Sequence, residues 1–189
     1  RDVENGENKA LRLACVGETD YERALTTYRN DNGEPPLNAA LEAKDEDAAE
    51  ALLDGGDDPN EVDGNGDNAL HMAAWKGCRL PLFHRILGMI HNVNAVEQSG
   101  ETALMLAAGY NHLDMVVSLM NHPGIDVNVQ GCYNSTALHV AVYNSRPAIV
   151  AQLLSDDRVD TSVKHKYFGT PLKWAIRLSL IHISEPTRR

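Results

Sequence analysis

Residues 63–67 alternate oxygen-bearing side chains with glycine, Asp63-Gly64-Asn65-Gly66-Asp67, the pattern that opens a helix–loop–helix calcium site. Such a loop needs glycine at its sixth position and a bidentate glutamate at its twelfth. Asn68 and Ala74 stand there instead, so the segment reads as a turn and no metal site is expected. His71 and His139 share a Leu-His-x-Ala setting, in which an imidazole bonded to a neighbouring turn is favoured over a zinc ligand. His84, His91, His112, His122 and His165 have no cysteine or carboxylate at a ligand spacing. Asn134-Ser135-Thr136 fits a glycosylation sequon, but its threonine serves as a helix cap. Asp156-Asp157 falls in a connecting loop, without a partner carboxylate across a cleft. Phosphate-binding, dinucleotide, nucleophile-elbow and kinase signatures are all missing from the sequence. The chain is therefore expected to be no enzyme and to need no cofactor.

What the chain has in place of a catalytic set is a period. Pro35-Pro36-Leu37-Asn38-Ala39-Ala40, Asn68-Ala69-Leu70-His71-Met72-Ala73, Thr102-Ala103-Leu104-Met105-Leu106-Ala107, Thr136-Ala137-Leu138-His139-Val140-Ala141 and Thr170-Pro171-Leu172-Lys173-Trp174-Ala175 are copies of one motif. Their leucines lie at 37, 70, 104, 138 and 172, which gives steps of 33, 34, 34 and 34 residues. A fixed spacing of this length belongs to a stacked array, in which each unit buries its apolar face against the next. Within a period, an apolar run after a threonine or asparagine cap is followed by an apolar pair such as Met115-Val116 and Leu119-Met120. That spacing gives two short amphipathic helices joined around Asn111-His112. Asp58-Pro59-Asn60, Asn92-Val93-Asn94 and Asp126-Val127-Asn128 read as turns leading into a β-turn or hairpin.

On these residues the chain resembles the ankyrin repeat family, whose signature is a β-turn and two helices opening with Thr-Pro-Leu-His-x-Ala. The resemblance covers residues 33–177 and implies an all-α solenoid of stacked helix-turn-helix units with short β-turn or hairpin connections. Its repeats are 33–65, 66–99, 100–133, 134–167 and a partial fifth, 168–177. Asn111 and Ser145 replace the usual glycine between helices, and Pro81 is expected to delay the second helix of repeat two until near Leu82. Residues 1–32 read as a diverged N-terminal capping helix pair, with Leu11 to Gly17 in one helix and Tyr21 and Leu25 in the other. Residues 178–189 resemble the conceptual translation of a sequencing-library adapter and are set aside as a non-native tail. The expectation is a truncated chain whose last repeat lacks its second helix and frays.

Charge separates along the chain. Residues 1–63 hold 6 Lys/Arg against 18 Asp/Glu, a net of −12, and the remainder holds 11 against 9, a net of +2. An acidic half disfavours nucleic acid and anionic membrane and can steer a basic partner. Cys15, Cys78 and Cys132 form no paired framework. No apolar run approaches membrane-spanning length, so an intracellular, monomeric fragment is expected.

Once the fold-bearing positions are set aside, the large side chains left over are aromatic. The resemblance places Trp75, Lys76, Tyr110, Tyr133, Tyr143 and Tyr167 on the concave face. Five of these belong to the ten aromatic residues of the chain. Aromatic residues dominate binding hot spots, so these positions are the expected site for a protein or peptide partner.

Overall fold

The computed structural model describes residues 19–28 and 34–184, with side chains described as far as residue 178. Ten α-helices follow one another among them. Helix α1 (Asp20–Tyr28) precedes four antiparallel pairs: α2 (Pro36–Ala43) with α3 (Glu46–Asp54), α4 (Ala69–Lys76) with α5 (Leu80–Met89), α6 (Ala103–Gly109) with α7 (Leu113–Met120), and α8 (Ala137–Tyr143) with α9 (Pro147–Leu154). Helix α10 (Pro171–Ser184) opens the fifth repeat and continues past residue 177 as a single helix. Of the helix pair expected over 1–32, the Leu11–Gly17 half lies outside the described residues. Helix α1 packs on α3 and α2.

Packing runs in two rows. The inner helices α2, α4, α6, α8 and α10 contact one another in succession, and the outer helices α5, α7 and α9 do the same. The paired helices are only seven to ten residues long, too short to hold in isolation. What holds them is burial of the motif leucines and the outer apolar pairs. Leu37, Leu70, Leu104 and Leu138 are all buried, as are Leu52, Ile86, Leu119 and Leu153 on the outer row. The motif alanines Ala40, Ala73, Ala107 and Ala141 are completely buried, which lets adjacent inner helices approach closely.

Caps fall where the motif puts them. Asn68 accepts from the Leu70 and His71 amides at 3.1 Å each, and Thr102 accepts from Met105 N at 3.3 Å. Pro36 and Pro171 begin their helices, where a missing N–H costs nothing. The reversal between helices needs one residue with positive φ in every repeat. Lys44 (59°), Gly77 (75°), Asn111 (70°) and Ser145 (54°) fill that position in turn. Helix α5 starts at Leu80 and not near Leu82, because Pro81 sits in the first turn, where a backbone N–H would find no intrahelical acceptor and its absence costs nothing.

Two ladders of side-chain hydrogen bonds cross from repeat to repeat. In the first, His71 Nδ1 accepts from Asn68 N (3.3 Å) and its Nε2 donates to Ala95 O (3.0 Å) in the next hairpin. His139 repeats this with Thr136 N (3.3 Å) and Gly169 O (3.2 Å). Asn38 holds the equivalent position in repeat one and donates to Asp67 O (2.8 Å). The second ladder is made by asparagines of the turn segments. Asn60 donates to Met89 O and accepts from His91 N, Asn94 donates to Gly124 O and accepts from Asp126 N, and Asn128 donates to Arg158 O and accepts from Asp160 N, all within 2.7–3.1 Å. Each asparagine thus saturates backbone groups that no helix can reach.

Hairpin tips complete the stack. Their closing bonds are Asp63 N to Asp67 O, Glu97 N to Glu101 O, Gly131 N to Ser135 O and His165 N to Gly169 O, at 2.8–3.1 Å. A Cβ on Gly131 would come within 2.1 Å of Gly100 O, so close approach of two tips requires glycine there.

Asn94→Ala removes two inter-repeat bonds and is expected to cost about 1–3 kcal/mol in urea unfolding. An unchanged midpoint would mean that the ladder contributes nothing. The buried imidazoles give a second test. Burial holds His71 and His139 below the ordinary 6.5 despite the carbonyl each meets. An imidazole depressed in the folded state is neutral there while the unfolded chain takes up a proton. Its contribution is therefore full above pH 6.5 and is lost as pH falls below it. Thermal midpoints are expected to drop between pH 7.5 and 5, by less in a His71→Gln/His139→Gln variant. Parallel profiles would remove these residues from the acid sensitivity.

Candidate functional site

The candidate aromatics lie at the C-terminal ends of the inner helices and on the hairpin tips. Trp75 is half-buried near the C-terminus of α4, and Tyr110 follows α6 with half its surface exposed. Their ring centroids lie 6.2 Å apart with planes inclined by 60°. Lys76 places its Nζ 3.7 Å from the Trp75 ring centroid and pairs with Glu42 across the repeat boundary at 3.1 Å.

A second aromatic group belongs to repeats four and five. Tyr133 lies in a short 3-10 turn (Cys132–Asn134) at a hairpin tip, with φ of 59°. Its ring is 5.3 Å from that of Tyr167 on the next tip. Lys166 sits 5.9 Å from the Tyr133 centroid and 5.3 Å from that of Tyr167. Tyr143 closes α8 and is 5.3 Å from Trp174. Among the described residues no ring contact joins Tyr110 to Tyr143. The six residues therefore fall into two neighbouring groups, Trp75, Lys76 and Tyr110 in one and Tyr133, Tyr143 and Tyr167 in the other.

Two members of the second group escaped the reading of the sequence. Trp174 is buried and stacks on Phe168 at 4.4 Å and 17°, with His165 a further 4.9 Å away. The signal was available: Trp174 stands two residues past the motif leucine, where Met72, Leu106 and Val140 line the inner row. Phe168 follows Tyr167 at the tip and carries no periodic signal.

Between repeats two and three lies an open hollow of about 480 Å³, lined chiefly by Asp67, Trp75, Glu97, Glu101, Leu106 and Tyr110. Three carboxylates meet two aromatic rings there. Glu97 is spent on its own turn, accepting from Ser99 N and Glu101 N at 2.7 and 2.8 Å. The side-chain carboxylates of Asp67 and Glu101 receive no hydrogen bond and no ion pair among the described residues, although the backbone carbonyls of both close hairpin bonds. Burial first, then Asp63, Glu97 and Glu101, pushes the Asp67 carboxyl up to about 6. Burial and Glu97 push Glu101 upward as well. A carboxyl raised in the folded state stabilises most below the unfolded pKa and loses that contribution as pH rises through its folded value. At neutral pH an ionised Asp67 thus works against folding.

Residues 63–67, whose alternation suggested cation ligands, form a hairpin tip. Asp63 Oδ1 accepts from Asn65 N (2.8 Å) and Asp67 N (3.0 Å), a turn stabilised by its own side chain. No group of three or more His, Cys, Asp or Glu is arranged to hold a metal ion among the described residues. No described helix is long and apolar enough to cross a membrane. Burial pushes the Cys78 thiol up to about 12, which leaves it a poor nucleophile at neutral pH.

Comparison with known proteins agrees with this geometry. Residues 70–166 match a family described as ankyrin repeats (3 copies), and residues 39–85 match ankyrin repeats (many copies). NF-kappa-B inhibitor alpha of Sus scrofa is 34% identical over 129 residues, covering 66% of this chain and 41% of that protein. Inversin of Homo sapiens is 30% identical over 175 residues, covering 90% of this chain and 16% of its own length. The nuclear factor NF-kappa-B p105 subunit of Gallus gallus is 30% identical over 165 residues, covering 85% of this chain and 16% of that subunit. The chain thus spans about two fifths of the first relative and a much smaller part of the others. A 34-residue helix-pair period, a buried Leu-His-x-Ala motif bonded to the following hairpin, and matching family sequences over more than half its length agree: the chain belongs to the ankyrin repeat family.

Proposed function

We propose that this chain is a non-catalytic protein-interaction module that binds a protein or peptide partner across its concave face. The observation that carries the reading is the exposure of Tyr110, Tyr133, Tyr143 and Tyr167, each more than half open to solvent on a scaffold whose other large apolar residues are mostly buried. A rigid platform bearing partly exposed tyrosines offers large contact area at small entropic cost. The relatives point the same way, since one is named as the inhibitor of another protein and one as a subunit. In this reading Trp75, Lys76, Tyr110, Tyr133, Tyr143 and Tyr167 contact the partner, and the acidic residues of 1–63 guide its approach. The module acts as an intracellular monomer and binds neither nucleic acid nor membrane through this face. A second reading is a regulatory or targeting segment of a longer enzyme or channel; the chain spans only 16% of inversin's length, so it matches part of a longer protein there.

Trp75→Ala is expected to cost about 1–2 kcal/mol in denaturant unfolding. That lies between the small effect of a surface change and the larger loss from a core tryptophan, because the ring is half-buried against the inner row. A loss of about 3–5 kcal/mol would make Trp75 a core residue and remove it from the site. The binding test is an affinity capture with the whole chain, comparing wild type with a Trp75/Tyr110/Tyr143 triple-alanine variant shown to remain helical. Loss of the captured partner in the variant is the expected result. Equal capture would move the site off the concave aromatics.

A further inference from the structure

The hollow between repeats two and three combines features that answer one chemistry. Its lining combines the aromatic and apolar Trp75, Tyr110 and Leu106 with the carboxylates of Asp67, Glu97 and Glu101. Asp67 and Glu101 are half-buried and unpaired among the described residues, so they hold negative charge that nothing nearby neutralises. At about 480 Å³ the hollow is within the range of pockets that enclose a small group. Asn65, Gln98 and Ser99 of the two hairpin tips complete its lining.

We propose that this hollow seats a lysine or arginine side chain of an extended basic peptide, its alkyl stem along Trp75 and Tyr110 and its cationic head against Asp67 and Glu101. The inference rests on the concave-face reading and names the partner's chemistry within it. Three physical arguments support it. First, the Trp75–Tyr110 pair is inclined at 60° and not stacked flat, so it forms a corner against which a stem can lie. Second, the chain already shows that Trp75 attracts an ammonium: Lys76 Nζ sits 3.7 Å from its centroid. Lys76 is paired with Glu42 and is absent from the hollow's lining, so that cation does not occupy the site. Third, burial is the main cause that raises the Asp67 carboxyl, and repulsion from Asp63, Glu97 and Glu101 adds to it. A cation beside Asp67 offsets that repulsion, so binding relieves part of a cost the free chain carries. A second repeat of the pattern would need the same carboxylates between repeats four and five, where Lys166 stands at the tip. Between repeats three and four Glu101 and Tyr110 also line a smaller hollow, but there they share it with the guanidinium-bearing Arg146. An extended strand running along the tips would place successive side chains alternately into and away from the groove, so one basic residue suffices as its anchor.

The test uses the whole chain and a fluorescein-labelled nonapeptide of alternating lysine and serine, followed by fluorescence anisotropy at low salt. Wild type is expected to bind saturably and to ignore the same peptide with norleucine in place of lysine. Asp67→Asn/Glu101→Gln, which changes charge but hardly shape, is expected to weaken binding at least tenfold, and Trp75→Leu by a similar factor. Asp47→Asn/Asp54→Asn removes the same charge from exposed positions on the outer helix α3 and is expected to weaken binding less than threefold. Circular dichroism melts confirm that each variant is folded. Equal weakening by both carboxylate pairs, equal binding of the norleucine peptide, or no saturable binding would each overturn the proposal. A captured partner lost with the triple-alanine variant but retained by Asp67→Asn/Glu101→Gln would overturn the basic anchor alone and leave the concave-face reading standing.

Discussion

Two helices of seven to ten residues cannot bury an apolar stripe against each other and remain stable in water. Their free faces have to be covered by the next pair, and covered at the same height every time. That requirement fixes the period, and the period in turn decides which polar groups meet. Because Leu70 and Leu104 are 34 residues apart, the imidazole beside the first reaches the hairpin that leads into the second. The asparagine ladder obeys the same arithmetic, with Asn60, Asn94 and Asn128 again 34 residues apart. A one-residue slip in any repeat would break both ladders as well as the apolar seam, so register is enforced by polar and apolar terms together.

The period made most of this legible in the sequence. Leucines, alanines and caps recur at fixed intervals, and a motif repeated five times, with its leucine and alanine buried in four of the five copies, cannot be a coincidence of one window. What escaped reading was whatever departs from the period or depends on long-range geometry. The turns around Asn60, Asn94 and Asn128 were recognisable as turns, but their bonds to carbonyls about thirty residues away are invisible to local propensity. Pro81 looked like an obstacle, yet in a first helical turn it is harmless, so α5 begins two residues earlier than expected. The aromatic face was legible as a set of positions. Its division into two groups was not, since that depends on which rings happen to touch and on Trp174 being drawn beneath Phe168.

Lys44, Asn111 and Ser145 show how tolerant the scaffold is. Each holds a left-handed backbone conformation where Gly77 serves more comfortably, a strain of about 1 kcal/mol or more for a non-glycine residue. The stack can bear it because the residues on either side are fixed by helices packed on two neighbours. Local sequence is therefore under weak demand at the reversal and under strong demand at the seam. The solvent-facing positions are where binding chemistry can change with little cost to the fold.

The carboxylates of the second and third repeats run against that economy. Asp67 and Glu101 lie close enough to repel each other, partly out of water, with no partner among the described residues to offset the cost. A scaffold that satisfies its other buried polar groups so thoroughly had inexpensive ways to avoid this, since an amide at either position would relieve the repulsion while keeping the shape. Strain of this kind can be repaid from outside the fold, and a cationic side chain is one chemistry that would do so. The same residues that lower stability at neutral pH are the ones that would discriminate a basic side chain from an apolar one of equal length. An aromatic corner alone would accept both. Charge without the rings would hold a cation loosely in water, screened and unoriented. Their coincidence in one hollow is what would give the proposed site its selectivity.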